Sequence, residues 1–324
     1  MPTPGVRIPF AAAMTVTVVG SIAFDAVKTP WGQRDRMLGG SAVHFALSAS
    51  FLADVRVVGP VGDDFGEAEV DVLRARGVNV DDIEHVPGGR TFFWSGEYEY
   101  DLNTRHTHDT QLNVFADFQP KLSEASKDAD VLFLANIQPD LQREVREQCA
   151  DARIVGLDSM NLWIETARDS LVRTIEGVDL LVINDAELRQ LTGKPNLVQA
   201  AREVLHWGPA AVVAKQGEYG SSLFSADRFF ALPAYPLETV VDPTGAGDSF
   251  AGGLFGYLAA HPDEGLTDEL LRRAMAYGTA LASFNVEEFG TERIQRLTHE
   301  EVRDRVAELH AITNWVDVPV ELRT

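Results

Sequence analysis

Short runs of β-branched and aliphatic residues recur along the chain, most of them closing on Gly, Asp or Asn. TVTVVG starts at Thr15, and DVRVVGPVG, VLFLANI, ARIVGLD, DLLVIND and AAVVAK follow. Unbroken apolar runs of this length predict strands buried on both faces. Between most of them the period changes to that of a helix, in SAVHFALSASFLA, GEAEVDVLRARG, LQREVREQCA, AELRQLTG and LVQAAREVLHWG. This alternation predicts an α/β fold: a mainly parallel central sheet with helices on both faces. Ligands bind such sheets at the carboxyl ends of the strands. The polar residues that close the runs are therefore the first candidates for function.

The alternation breaks at about residues 29–37 and again at about 88–112. GRTFFWSGEYEYDLNTRHTHD has no helical period and is rich in aromatics. It predicts a small β insertion serving as a lid over a site, a dimer surface, or both; an ordinary edge hairpin is the plainer alternative. Phe92, Trp94, Tyr98 and Tyr100 are expected on one alternating face. TVTVVGSIAFD reads as one strand ending near Asp25. THEEVRDRVAELHAI predicts a surface helix with Val302, Val306, Leu309 and Ile312 inward.

Composition narrows the classes. The chain has 324 residues and a formal charge of −21. Such acidity argues against sequence-independent nucleic-acid binding, which depends on cationic contacts to phosphate, and against docking on anionic lipid. No run is long enough to span a bilayer. Residues 1–13, MPTPGVRIPFAAA, make a poor signal peptide and are expected to be a disordered leader before one α/β domain over 14–324. The single cysteine, Cys149, lies in a helical pattern and reads as packing; its solitude fits a reducing cytoplasm. His106 and His108 could share a metal, but no third ligand is evident in the sequence.

The chemistry concentrates in VVDPTGAGDSFAGGLFGYLAA. Phe250, Leu254, Tyr257 and Leu258 recur at helical spacing, so a helix starts near Ala246–Asp248. Its first N–H groups lack intrahelical partners, and Gly245 and Gly247 leave them bare to an anion. Gly252, Gly253 and Gly256 inside the helix each cost about 1 kcal/mol relative to Ala, which suggests close packing. Asp248 at the first turn serves either as a helix start or as a base toward a hydroxyl attacking bound phosphorus. No GxxxxGK[ST] loop occurs here.

DPTGAGD resembles the C-terminal signature of the ribokinase-like (PfkB-type) carbohydrate and nucleoside kinases, departing at Pro243, and the resemblance runs over about residues 14–296. It implies a large α/β domain with a β lid, ATP as phosphoryl donor, Mg²⁺, and in some members K⁺. Gly245, Ala246 and Gly247 would then form an anion hole and Asp248 the general base. Asp25 in SIAFD matches the family's residue for substrate hydroxyls, and Gly39 and Gly40 in LGGSAVHFALSA match the paired glycines lying against the sugar. His44 stands where many sugar kinases have Asn and is taken as a further substrate contact. Asn184 and Glu187 in VINDAELRQLTG match the N-x-x-E motif holding Mg²⁺ through water. Lys215, Gly217 and Gly220 in AKQGEYGSSLF match the ATP-contacting turn, and Asp158 in GLDSMN closes a strand on the same side. Asp242 and Thr244 resemble the monovalent-cation loop, completed near NVEEFGT. Where ribose-type members place a carboxylate, this chain has the neutral Asn136 and Gln138, and Asn136 is taken as a substrate contact.

These matches imply a cytoplasmic ATP-dependent kinase acting on a hydroxymethyl group of a sugar or sugar derivative, and a homodimer through the lid. A nucleoside kinase and a catalytically silent sugar- or nucleoside-binding protein are the alternatives. A nicotinamide-dependent oxidoreductase is set aside, because no G-x-G-x-x-G follows the first strand.

Overall fold

The computed structural model describes residues 14–226 and 228–314; the expected leader over 1–13 lies outside them. Its strands, in chain order, are β1 (Thr15–Val19), β2 (Ala23–Thr29), β3 (Gly32–Gly39), β4 (Asp54–Val61), β5 (Asn79–His85), β6 (Phe92–Tyr98), β7 (Arg105–Gln111), β8 (Val131–Leu134), β9 (Ile154–Leu157), β10 (Leu180–Asn184), β11 (Ala211–Lys215), β12 (Ser221–Ser225) and β13 (Phe229–Leu232). The helices are α1 (Ser41–Ala49), α2 (Glu67–Ala75), α3 (Glu124–Lys127), α4 (Pro139–Gln148), α5 (Asn161–Thr166), α6 (Arg168–Ile175), α7 (Asp185–Thr192), α8 (Leu197–Leu205), α9 (Ala246–Ala259), α10 (Asp268–Asn285), α11 (Glu292–Gln295) and α12 (His299–Thr313).

Nine strands form the central sheet in the order β13-β12-β11-β10-β9-β8-β1-β4-β5. Pairing is parallel from β11 to β5, and β12 and β13 add an antiparallel edge. Strand alternation sorts the core into two layers. Val16, Val18 and Phe133 pack with Phe45, Leu254 and Leu281 of α1, α9 and α10. Val19, Leu132 and Leu134 pack with Val145, Leu171, Leu188 and Val204 of α4, α6, α7 and α8 on the opposite face.

A separate sheet, β3-β2-β6-β7, forms the insertion. It starts earlier than the expected residue 29. β1 stops at Val19, and Asp25 lies on β2, one of the two inner strands of the small sheet, rather than at the end of the first strand. The break falls at Gly20, where an added Cβ would stand 2.7 Å from the Ala135 Cβ. The Ser21 and Ser41 hydroxyls, 3.1 Å apart, close the turn that follows. Tyr100 lies beyond β6 in the following turn, 93% exposed, and so does not share the face expected for it with Phe92, Trp94 and Tyr98.

α9 packs against α1 and α10 with almost no space between backbones. A Cβ on Gly252 would lie 2.2 Å from the Phe45 carbonyl oxygen, and one on Gly253 2.8 Å from that of Tyr277. In α12, Val302 and Leu309 are buried as expected, but Ile312 is 53% exposed, beyond the end of the core. Among the described residues, no helix is long and apolar enough to cross a membrane.

Candidate active site

The carboxyl ends of the parallel strands converge with the amino end of α9. Asp158 directly follows β9, Asn184 ends β10 and Lys215 ends β11, with Asn184 and Lys215 in register. Gly245 is the N-cap residue of α9 with φ 74°, left-handed backbone that glycine adopts without strain. No side chain caps the helix; the Ala246 N–H reaches back to the Pro243 carbonyl at 3.3 Å, and the N–H groups of Gly245 and Gly247 stay available to a ligand. The Lys215 Nζ would be only 2.9 Å from a Cβ on Gly247, which places the ammonium against the bare loop.

Asp248 lies in the first turn of α9. Burial and the Asp158 charge push its carboxyl up to about 7, against the pull of Lys215. Glu187 is likewise pushed up to about 7 by burial and Asp158. Burial opposes the charge on Lys215, but Asp158, Asp248 and Glu187 outweigh it and hold the ammonium above its usual value. Asp25 is 5% exposed. Burial, then the charges of Asp242 and Asp248, raise it to about 7, while the Gly40 N–H works the other way. A Cβ on Gly39 would fall 2.0 Å from the Asp25 Oδ2, so only glycine lets the strand run against this carboxylate. Two carboxylates thus sit within electrostatic reach of one another, one on the lid and one on α9, each holding its proton near neutral pH.

Asn184 and Glu187 form a reciprocal cap at the start of α7: Asn184 Oδ1 accepts from the Glu187 N–H at 2.7 Å, and Glu187 Oε2 accepts from the Asn184 N–H at 3.2 Å. The cap engages the one side-chain oxygen of Asn184 and one of the two on Glu187, so the Glu187 Oε1 lies outside it. Among the described residues no three His, Cys, Asp or Glu side chains converge as a metal cage. A sparse donor set of this kind suits Mg²⁺, which keeps several of its waters.

Asp242 is fully buried, and burial raises its carboxyl above the ordinary range. Its Oδ1 accepts from the Thr244 N–H and its Oδ2 from the Gly290 N–H, both at 2.9 Å. The 242–244 loop and the 286–290 segment therefore meet, as the sequence reading expects. Pro243 lines the neighbouring cavity.

That cavity measures about 480 Å³ and is bounded by Lys215, Gly217, Gly220, Tyr235, Gly247 and Ser283. Gly217 (φ 57°) and Gly220 (φ 92°) turn the chain between β11 and β12. The lid reaches the same cavity at Asn103, which donates to Glu218 Oε1 at 2.9 Å, and it meets the 242–244 loop where Thr244 Oγ1 donates to the Tyr98 hydroxyl at 3.3 Å.

Two expected substrate contacts are engaged elsewhere. Asn136 donates to the Met160 sulfur at 3.0 Å and accepts from the Trp163 indole at 2.9 Å. His44 is 2% exposed and lies beneath the anion loop: a Cβ on Gly245 would be 2.4 Å from its ring. His106 and His108 face separate carboxylates, Glu99 at 2.5 Å and Glu97 at 3.4 Å. Sequence reasoning missed Arg105, at the start of β7, whose charge acts on both Asp248 and Glu187. An isolated arginine in a polar stretch carries no motif that would reveal this.

Residues 16–296 match the family model described as pfkB family carbohydrate kinase. The chain is 29% identical over 259 residues to the cytidine kinase of Thermococcus kodakarensis, covering 78% of this chain and 91% of that protein. It is 26% identical over 269 residues to fructokinase-2 of Oryza sativa, covering 75% and 77%. The crystal structure of Methanocaldococcus jannaschii nucleoside kinase, a member of the ribokinase family, superposes with a TM-score of 0.74 at 20% identity, covering 92% of this chain and all of that one. The architecture is the ribokinase-like fold.

Proposed function

The chain belongs to the pfkB family of carbohydrate kinases, and on that premise we propose that it transfers the γ-phosphoryl group of ATP to a hydroxymethyl group on a furanose ring. The observation carrying this reading is the pair Asp25 and Asp248, both pushed up to about 7 beside the bare amino end of α9. Asp25 on the lid strand accepts ring hydroxyls of the acceptor, with Gly39 and Gly40 beneath the ring. Asp248 takes the proton of the hydroxymethyl group as its oxygen bonds to the γ-phosphorus. The bond from that phosphorus to the β–γ bridging oxygen breaks, and ADP leaves with the electron pair. The N–H groups of Gly245, Ala246 and Gly247 stabilise the charge that spreads over the phosphoryl oxygens.

Lys215 holds the polyphosphate, and Gly217 and Gly220 shape the wall against which the nucleotide lies. Asn184 and Glu187 would hold Mg²⁺, which would supply charge neutralisation at the phosphates. K⁺ at Asp242 and Thr244 would offset a carboxylate that is buried and has no cationic side chain within ion-pair distance among the described residues.

A nucleoside is the favoured acceptor. The aromatic strand β6 runs beside Asp25, with Trp94 its register partner, and offers a base a stacking surface. The cytidine kinase similarity supports the same choice. A free ketose is the second reading, supported by the fructokinase similarity. The exposed edge strand β7 supports a homodimer through the lid.

The test is ADP release and ³¹P NMR of products with ATP, Mg²⁺ and a panel of nucleosides and free sugars. Phosphorylation at the hydroxymethyl oxygen of a nucleoside is expected. Transfer to sugars alone moves the assignment to the second reading. Binding of acceptors without any transfer overturns the kinase reading in favour of a binding protein.

A further inference from the structure

Beneath the anion loop lies a buried polar chain that links three helices. Asn285, at the last position of α10, is fully buried. Its Nδ2 donates to the Thr244 carbonyl at 2.7 Å. Its Oδ1 accepts from the Ser249 hydroxyl at 3.1 Å and lies 3.0 Å from the His44 Nδ1. An amide oxygen that already accepts from a hydroxyl can only accept from the ring, so Nδ1 carries the proton. Burial pushes the His44 imidazole down to about 4, with the Asn285 bond opposing, so the ring is neutral at working pH. His44 packs directly under Gly245, and its Nε2 has no partner. Ser249, fully buried, also donates its N–H to the Gly245 carbonyl at 2.8 Å. The Thr244–Gly245 turn is therefore held from below by Asn285, Ser249 and the face of His44.

We propose that His44 and Asn285 are positioning residues that hold the Thr244–Gly245 turn in the conformation exposing the α9 N–H groups to the transferring phosphoryl, and that His44 makes no contact with the acceptor. This rests on the phosphotransfer reading above. Buried polar groups that satisfy one another keep a loop rigid more strongly than exposed ones, because an unmade bond there costs its full desolvation penalty. His44 sits one turn beyond Gly40 on α1, and its N–H donates to the Gly40 carbonyl. The glycine turn beneath the acceptor and the anion loop thus share one helix turn as their mount.

Three variants test this: Asn285→Ala, His44→Phe, which keeps a flat ring but loses the Nδ1 donor, and His44→Asn, which restores an amide donor. Asn285→Ala is expected to lower kcat about 10- to 100-fold, the scale of an ångström-sized misplacement, with the acceptor KM changed less than about threefold, since ground-state binding is spared. His44→Phe should fall in the same direction, His44→Asn should recover part of the loss, and the Asn285→Ala/His44→Phe double variant should lose less than the product of the single losses. A raised acceptor KM with kcat intact in His44→Phe, or fully multiplicative losses, overturns the proposal. Ser249→Ala, a smaller change, gives the same kcat test where a larger variant fails to fold.

Calorimetric binding of a non-hydrolysable ATP analogue is measured in parallel on every variant. If the unaltered protein binds the analogue yet transfers nothing, the phosphotransfer reading fails by itself. The positioning role is then still decided by whether Asn285→Ala weakens the analogue while leaving adenosine binding unchanged.

Discussion

Lys215 and Asp158 form an ion pair of 2.7 Å across two strand ends, with side chains only 17% and 7% exposed. The pair sits among Asp248 and Glu187, so the lysine is the cation that several carboxylates share. Lys215→Met leaves Asp158 without its ion pair and Asp248 and Glu187 with Arg105 as the cation still acting on them, whereas Asp158→Asn leaves Lys215 with two carboxylate neighbours. Breaking a buried pair costs about 3–5 kcal/mol. Lys215→Met is therefore expected to lower the melting temperature more than Asp158→Asn at pH 8. The gap should narrow at pH 5, where Asp248 and Glu187 are protonated. ATP KM should rise about 10- to 100-fold in Lys215→Met, the value of a charge-assisted hydrogen bond. Equal melting losses at both pH values would remove the shared-cation account.

Asp248→Asn is expected to lower kcat by about 10²–10⁴, the worth of a positioned base, while ATP binding persists in calorimetry. The carboxylate is pushed up to about 7 and must be ionised to accept the hydroxyl proton. In the unaltered enzyme kcat/KM should rise with pH through about 7. The residual activity of Asp248→Asn should lack the part of that rise that belongs to Asp248. Near-normal turnover in the variant would exclude Asp248 as base.

The same carboxylates set the pH dependence of stability. Asp25, Glu187 and Asp248 all titrate higher in the folded chain, near 7, than their ordinary values. Between those ordinary values and 7 the folded state binds more protons than the unfolded state, so stability falls as pH rises. Asp25→Asn should melt above the unaltered protein at pH 8 by the equivalent of about 1–3 kcal/mol, allowing for relaxation around a shift of this size. The advantage should shrink toward pH 5. A variant that melts lower at pH 8 would contradict the sign.

Most of this was legible in the sequence where the physics is local. The strand runs and helix periods located the parallel sheet, and TGAGD announced the start of α9 within two residues. Asn184 and Glu187 were readable as a short motif, N-x-x-E, whose spacing is also that of the reciprocal cap they form. What escaped depends on distance along the chain. His44 and Asn285 are 241 residues apart, and only folding reveals that they meet. The sequence pattern runs Asp25 into the first strand because the break at Gly20 comes from a neighbour distant in the chain, Ala135, just beyond the end of β8. β5 was missed because, as an edge strand, it buries Ile83 alone, which leaves no alternation to read.

The proposed dimer through the lid has a direct measurement. Sedimentation equilibrium should give twice the 35.5 kDa chain mass at micromolar concentration. A single-chain mass would withdraw it.

Gly252→Ala should destabilise even though alanine is the better helix former by about 1 kcal/mol. The new methyl would lie 2.2 Å from a backbone oxygen of α1, which has no rotamer to yield. Overpacking of this kind costs about 1–3 kcal/mol, so a net fall in melting temperature is expected, together with a fall in kcat. A rise in melting temperature would show that α1 can yield after all.

The tight seating of α9 also bears on how such a chain can change over time. Gly252 is one turn downstream of Asp248 on the same helix, so a side chain added there would displace this proposed base along with the helix. Selection acting on the transfer step would thereby reach Gly252 and Gly253, positions that meet backbone rather than reactants. Clearance, rather than contact with reactants, is what holds glycine at these two positions.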